Sequence, residues 1–221
     1  MPAPASPFGL VIFDHDGVLV DSEIIAMDII CELLGEHGVP TTVDEAIVAY
    51  LGGSLDVVMD VIEERGTPVD RQDFDRRFHE ALFAGFRERL VPIPGVVSLL
   101  DALQEAGMPF VIASSGSSAR VDLGVTTTEL AAYFPPHVRT TRDHVERAKP
   151  FPDLFLLAAE RAGVDPSSCL VIEDSPHGVE AAHRAGMRVV GLAHRTPPDR
   201  LQDADWVVRD TSAILPLILG A

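Results

Sequence analysis

The sequence predicts an α/β protein, a doubly wound parallel sheet interrupted by a helical insert. Three observations predict it. Short apolar runs recur along the chain, helical stripes of crossover length separate the later ones, and a long helical interval without a strand follows the first. The apolar runs are Phe8–Phe13, Pro109–Ala113, Cys169–Ile172, Val189–Leu192 and Trp206–Val208, and His137–Thr140 offers a further short strand. Val96, Leu99, Leu100 and Leu103 form one helical stripe ending at Gly107. Leu154, Leu157, Ala158 and Arg161 lie on a second, ending at Gly163. Val179, Ala182 and Ala185 mark a third, ending at Gly186.

The interval from Glu23 to about Leu90 breaks this rhythm. Its periodicities (Ile25–Ile29–Leu33, Leu55–Val58–Met59–Ile62 and Phe74–Phe78–Leu82–Phe86) are helical, with turns at Gly35–Pro40 and Gly66–Pro68. Such a length exceeds an ordinary crossover, so residues 22–91 are expected to form an inserted helical subdomain. Residues 1–21 and 92–221 would then form the α/β core, with hinges near Val20–Ser22 and Val91–Pro94.

Composition narrows the function. The 221 residues include 34 acidic against 17 basic side chains, a formal charge of −17, which repels nucleic acid and anionic lipid. With 47% hydrophobic residues the chain can fill a core, and no apolar stretch is long enough for a transmembrane helix. Met1–Pro7 lacks the pattern of a secretory signal. Cys31 and Cys169 are too few for a disulfide framework and read as small buried hydrophobes, so a reducing cytoplasm is expected. A monomer or weak homodimer is expected, because core and insert together can bury a core alone.

Four polar clusters sit at the ends of apolar runs, where ligands of open α/β sheets bind. In Asp14-His15-Asp16-Gly17 two carboxylates stand two residues apart at a sharp turn. They suit phosphoryl transfer, with Asp14 attacking phosphorus and Asp16 exchanging the proton; the alternative is a turn with a helix-capping Asp. His15, between them, should face away and serve packing or hydrogen bonding. Glu173-Asp174-Ser175 adds acids that would repel the first pair unless a cation lies among them. An all-oxygen cluster fits Mg2+, which Mn2+ could replace, with Asp174 a direct ligand and Glu173 direct or through water. A helix cap at Asp174 or Ser175 is the alternative there.

In Ser114-Ser115-Gly116 the Ser114 hydroxyl and the Ser115 amide could hold phosphate oxygens, although serine-rich loops have other uses. Lys149, the only lysine in the chain, could neutralise phosphate or steady Asp14, or else be a surface residue. Pro152 and Asp153 read as the first turn of a helix. No phosphate loop of the G-x-x-x-x-G-K-[ST] type occurs.

With these residues in this order, the chain resembles the haloacid dehalogenase-like hydrolases that carry a helical cap after the first strand, a branch with phosphatases and β-phosphoglucomutases. Asp14-His15-Asp16-Gly17-Val18-Leu19 matches the first motif and Ser114 the second. Lys149 with Pro150 matches the third, and Glu173-Asp174-Ser175 with Gly178 the fourth. The resemblance implies a Rossmann-like core, an aspartyl-phosphate on Asp14 and acid–base work by Asp16. It further implies Mg2+ held by Asp14, the Asp16 carbonyl and Asp174, and phosphate bound by Ser114 and Lys149. A small phosphorylated metabolite, a sugar phosphate or sugar-acid phosphate, is the implied substrate.

A mutase is the alternative within the fold, disfavoured by Ala26 where β-phosphoglucomutases carry a histidine. A non-catalytic binding or regulatory protein is the alternative outside it, disfavoured by retention of all the motif residues. Substrate contacts from the insert are expected at Gly53 and Ser54, which lie in a turn resembling a specificity loop. Arg87 and Arg89, near the second hinge, are candidates for a charged group.

Overall fold

The structure is a computed structural model that describes residues 6–220, so the expectation for Met1–Pro7 falls largely outside it. The chain divides into two compact units. One comprises the residues up to Val20 together with those from Val91 onward, and the other comprises Asp21–Leu90.

The first unit carries six parallel strands: β1 (Leu10–Phe13), β2 (Phe110–Ser114), β3 (Arg139–Thr141), β4 (Cys169–Glu173), β5 (Arg188–Leu192) and β6 (Trp206–Val208). Their order across the sheet is β3-β2-β1-β4-β5-β6. Leu10–Phe13 and Cys169–Glu173 are buried at every position, because both faces of the sheet are covered. On one face Leu10, Ile12, Val171 and Val189 pack with Phe155, Ala158 and Ala182. On the other, Phe13 meets Phe110 and Phe134 edge to face, with ring centroids 6.2 Å away in each case. The sheet order reverses at β1, whose neighbours are β2 and β4. That reversal opens a crevice beyond the carboxyl ends of these three strands.

The second unit holds α1 (Glu23–Glu36), α2 (Val43–Tyr50), α3 (Leu55–Glu64) and α4 (Arg71–Arg89), with no strand among them. Its interior is made by Ile25, Ile29, Leu33, Met59, Ile62, Phe74, Phe78, Leu82 and Phe86, all buried. The remaining helices belong to the first unit: α5 (Val96–Glu105), α6 (Ser118–Thr127), α7 (Asp153–Ala162), α8 (Pro176–Arg184) and α9 (Ile214–Leu219). Among the described residues no helix is long and apolar enough to cross a membrane. Both cysteines are free, Cys169 buried and Cys31 half-buried.

Three differences from the sequence reading have physical causes. The α2 and α6 helices bury few side chains, so neither leaves an apolar stripe to read. The strand expected at His137–Thr140 starts at Arg139, because Pro135 and Pro136 direct Pro136–Val138 into a 3-10 turn. The strand expected from Phe8 begins at Leu10.

Candidate active site

The crevice gathers side chains from four strand-end segments. Asp14 follows β1 directly, its backbone N–H donating to the Ile172 carbonyl of the neighbouring strand at 2.9 Å. Beyond it the chain turns through Gly17, at φ +72°. Glycine is needed there twice over, for the left-handed backbone and for space, since a Cβ would lie 1.9 Å from Asp174 Oδ2.

Lys149 binds the first and fourth segments together. Its Nζ donates to Asp14 Oδ1 at 2.7 Å and to Glu173 Oε1 at 2.5 Å, and lies 4.9 Å from the Phe155 ring centroid. The lysine is therefore an internal group and not a surface one. Burial pushes the Asp14 carboxyl up to about 7 against the pull of Lys149, and the charges of Glu173 and Asp16 add to the rise. Burial works against the charged ammonium too. Asp14 and Glu173 outweigh it and hold Lys149 well above the ordinary lysine range.

Glu173 is fully buried and its oxygens are engaged. Oε2 accepts from the backbone N–H groups of Asp174 and Ser175 and from the Ser175 hydroxyl, at 2.8–2.9 Å. Its carboxylate lies against α8 at Gly178, where a Cβ would sit 1.9 Å from Glu173 Cδ. Ser175, not Asp174, caps that helix, accepting from Gly178 N–H at 3.1 Å.

Asp14, Glu173 and Asp174 each offer an oxygen within 4.8 Å of the others, close enough to share one ion. The donor set is all carboxylate oxygen, which suits a hard divalent cation. The crowding of acids points the same way: Lys149 pairs with both Asp14 and Glu173, Arg120 pairs with Asp16, and Asp174 adds a fourth carboxyl beside them.

The second segment closes the site. Ser114, buried at the end of β2, accepts from Gly116 N–H at 3.0 Å, and the Ser115 hydroxyl is buried without a hydrogen-bond partner. A Cβ on Gly116 would lie 3.3 Å from Ser114 Oγ and 3.6 Å from Asp16 Oδ2, so Asp16 reaches this loop. Arg120, on α6, donates to Asp16 Oδ1 through Nε at 3.2 Å and Nη2 at 2.8 Å. Sequence reasoning missed Arg120. The available signal was its place on a helix opening at the Ser117 cap, one turn before Gly124.

The expectation that His15 faces away from both acids is corrected for Asp16. The period-two rule holds only within a strand, and β1 ends at Phe13. His15 Nδ1 lies 3.5 Å from Asp16 Oδ2. The residues expected from the insert belong to the helical unit. There Arg89 pairs with Asp28 at 2.5 Å, Arg87 donates to the Phe83 carbonyl at 3.2 Å, Gly53 donates to the Tyr50 carbonyl at 2.9 Å, and Ser54 precedes α3.

Residues 11–192 match the family model described as haloacid dehalogenase-like hydrolase. The chain belongs to this family. It is 29% identical over 205 residues to hexitol phosphatase A of Escherichia coli, covering 92% of this chain and 91% of the relative. A crystal structure of a conserved haloacid dehalogenase-like protein from Agrobacterium tumefaciens is similar with TM-score 0.87 and 35% identity, covering 96% of this chain and 98% of that one. A haloacid dehalogenase family hydrolase from Deinococcus radiodurans, solved with bound phosphate and sodium, is similar with TM-score 0.82 and 30% identity over 96% and 95% of the two chains. With an aspartate-containing cluster on this haloacid dehalogenase fold, the chain is an enzyme, a phosphoric monoester hydrolase.

Proposed function

We propose that this haloacid dehalogenase-like chain is a Mg2+-dependent phosphatase. It hydrolyses a sugar phosphate or sugar-acid phosphate in a reducing cytoplasm, through an aspartyl-phosphate. The observation that carries the reading is Asp14 pinned by Lys149 beside Asp174, at the end of the strand that pairs with β2 and its terminal Ser114.

Asp14 and Asp174 would hold the ion together with the Asp16 carbonyl, while Glu173, its oxygens already engaged, stands behind them and fixes Lys149. When bound, Mg2+ neutralises the crowded carboxylates and draws electron density from the phosphoryl oxygens. Lys149 holds Asp14 so that its free oxygen meets phosphorus, and shields the incoming negative charge. The Ser114 hydroxyl and the Ser115 amide bind the phosphoryl oxygens.

Asp14 attacks phosphorus, and the departing alkoxide takes a proton from Asp16, giving the free sugar and the aspartyl-phosphate. Water then loses its proton to Asp16 as its oxygen bonds to phosphorus, and phosphate leaves with Asp14 restored. The helical unit, residues 22–91 in the sequence reading, is the proposed cap, with Gly53, Ser54 and Arg87 as contacts for the organic part. Arg89 is the weakest of that set because Asp28 already pairs with it. The hexitol phosphatase relative supports the sugar-phosphate class.

A panel of phosphorylated metabolites assayed with and without Mg2+ tests the reading. Phosphate release that needs the metal and vanishes in Asp14→Asn is expected. Unchanged turnover in that variant would remove Asp14 as nucleophile. Conversion of β-glucose 1-phosphate to glucose 6-phosphate without free phosphate would favour a mutase.

A further inference from the structure

The side chain of Asp16 is bracketed by one face of α6. Arg120 and Gly124 are four residues apart on that helix and so point the same way. Arg120 grips Asp16 Oδ1 with two N–H groups, and its stem passes Gly116, where a Cβ would come within 3.3 Å of Arg120 Cδ. One turn on, the missing side chain of Gly124 admits the His15 ring; a Cβ there would lie 2.3 Å from His15 Nε2. His15 is fully buried, its ring nitrogens lack hydrogen-bond partners, and Nδ1 stands 3.5 Å from Asp16 Oδ2. A buried imidazole without hydrogen bonds is costly, and at this position it fills the space beside Asp16.

We infer that Arg120 and His15 are positioning residues that fix the rotation of the Asp16 carboxylate. Arg120 takes Oδ1, which turns Oδ2 towards Gly116 of the Ser114–Gly116 loop, the side on which the proposed leaving oxygen takes its proton. This rests on the acid–base role proposed for Asp16. The device sets how well Asp16 serves a poor leaving group, and it matters little for one that departs without a proton.

The test compares kcat/KM for an alkyl phosphate, such as a sugar phosphate, with that for p-nitrophenyl phosphate. Arg120→Gln is expected to lose about tenfold or more on the alkyl ester, within the range general acid catalysis supplies, and much less on the aryl ester. Arg120→Lys, which keeps the charge but offers a single donor nitrogen in place of two, should recover part of the loss. Gly124→Ala, acting through His15 without touching Asp16, should skew the ratio in the same direction. In an Asp16→Asn background none of these changes should alter the ratio further. Equal losses on both esters, or a ratio unchanged in the Lys and Ala variants, would overturn the inference while leaving the phosphatase standing. The alkyl ester is taken from the members of the metabolite panel that the wild-type chain turns over, and a chain that turns over no member would remove both. If Arg120→Gln does not fold, the Arg120→Lys and Gly124→Ala ratios decide the matter.

Discussion

Lys149 is the residue on which the interior of the site depends. It lies between two carboxylates that are themselves buried, and it is the cation nearest to both. Removing it in Lys149→Met leaves Asp14 and Glu173 facing one another without compensation. Loss of one partner from a buried ion pair costs about 3–5 kcal/mol, so a fall of that size is expected in urea unfolding, together with loss of turnover. Gly178 makes a second, sterically defined prediction. A methyl there meets the Glu173 carboxylate at under 2 Å from a Cβ position, and Glu173 is tied by Lys149 and two backbone N–H groups. Gly178→Ala should therefore displace Glu173, lower the thermal midpoint and reduce kcat more than any exposed alanine substitution on α8. An unaltered midpoint and kcat would show the crowding at Gly178 to be unimportant.

At the scale of elements, several short segments are started by carboxylates that accept backbone N–H groups. Asp165 and Asp210 each accept from the residue two positions on, Asp143 accepts from Ser118 N–H, and Glu45 accepts from Thr42 N–H in a capping box. The Ser167 and Ser212 hydroxyls, and after them these backbone bonds, hold Asp165 and Asp210 below the ordinary 3.8; the backbone bonds lead in holding Asp143 below 3.8 and Glu45 below the ordinary 4.5. A carboxyl with a lower value in the folded state stabilises above its unfolded value, and that contribution disappears as pH falls through the folded one. Stability should accordingly drop as pH is lowered from about 5 to about 2, read from urea midpoints. Asp165→Asn, which keeps an acceptor but no charge, should make that drop shallower.

The elements also differ in how openly the sequence declares them. Strands such as Leu10–Phe13 are legible because burial on both faces demands an unbroken apolar run. The α2 helix buries only Ala46, and α6 is rich in hydroxyls, so packing leaves little pattern in either. Asp14, Ser114, Lys149 and Glu173-Asp174 could be singled out because each stands where an apolar run ends or is unique in the chain. Arg120 stands out less, because its place on a helix opening at Ser117 says nothing of Asp16 until the fold brings α6 beside that carboxylate.

For the whole molecule, the balance of charge is the governing feature. A formal charge of −17 is spread over the chain, and the crevice gathers Asp14, Glu173 and Asp174 within reach of one ion. An ion that binds only the folded state stabilises it by mass action, about 2.7 kcal/mol at a hundredfold excess over its Kd. Mg2+ should thus raise the thermal midpoint in a concentration-dependent way, and Asp174→Asn should abolish most of the rise. A shift of equal size in that variant would assign the effect to general screening of the acidic surface.

The sole lysine of the chain is also its sole side-chain amine, and only 5% of that side chain is accessible. Reagents that acylate amines find no other side-chain amine to modify, so the acylation rate at this one position, read separately from that of the terminal α-amine, becomes a built-in clock for transient opening of the molecule. A ligand that slows the clock closes the crevice or stabilises the folded chain around it, and one that leaves it running does neither.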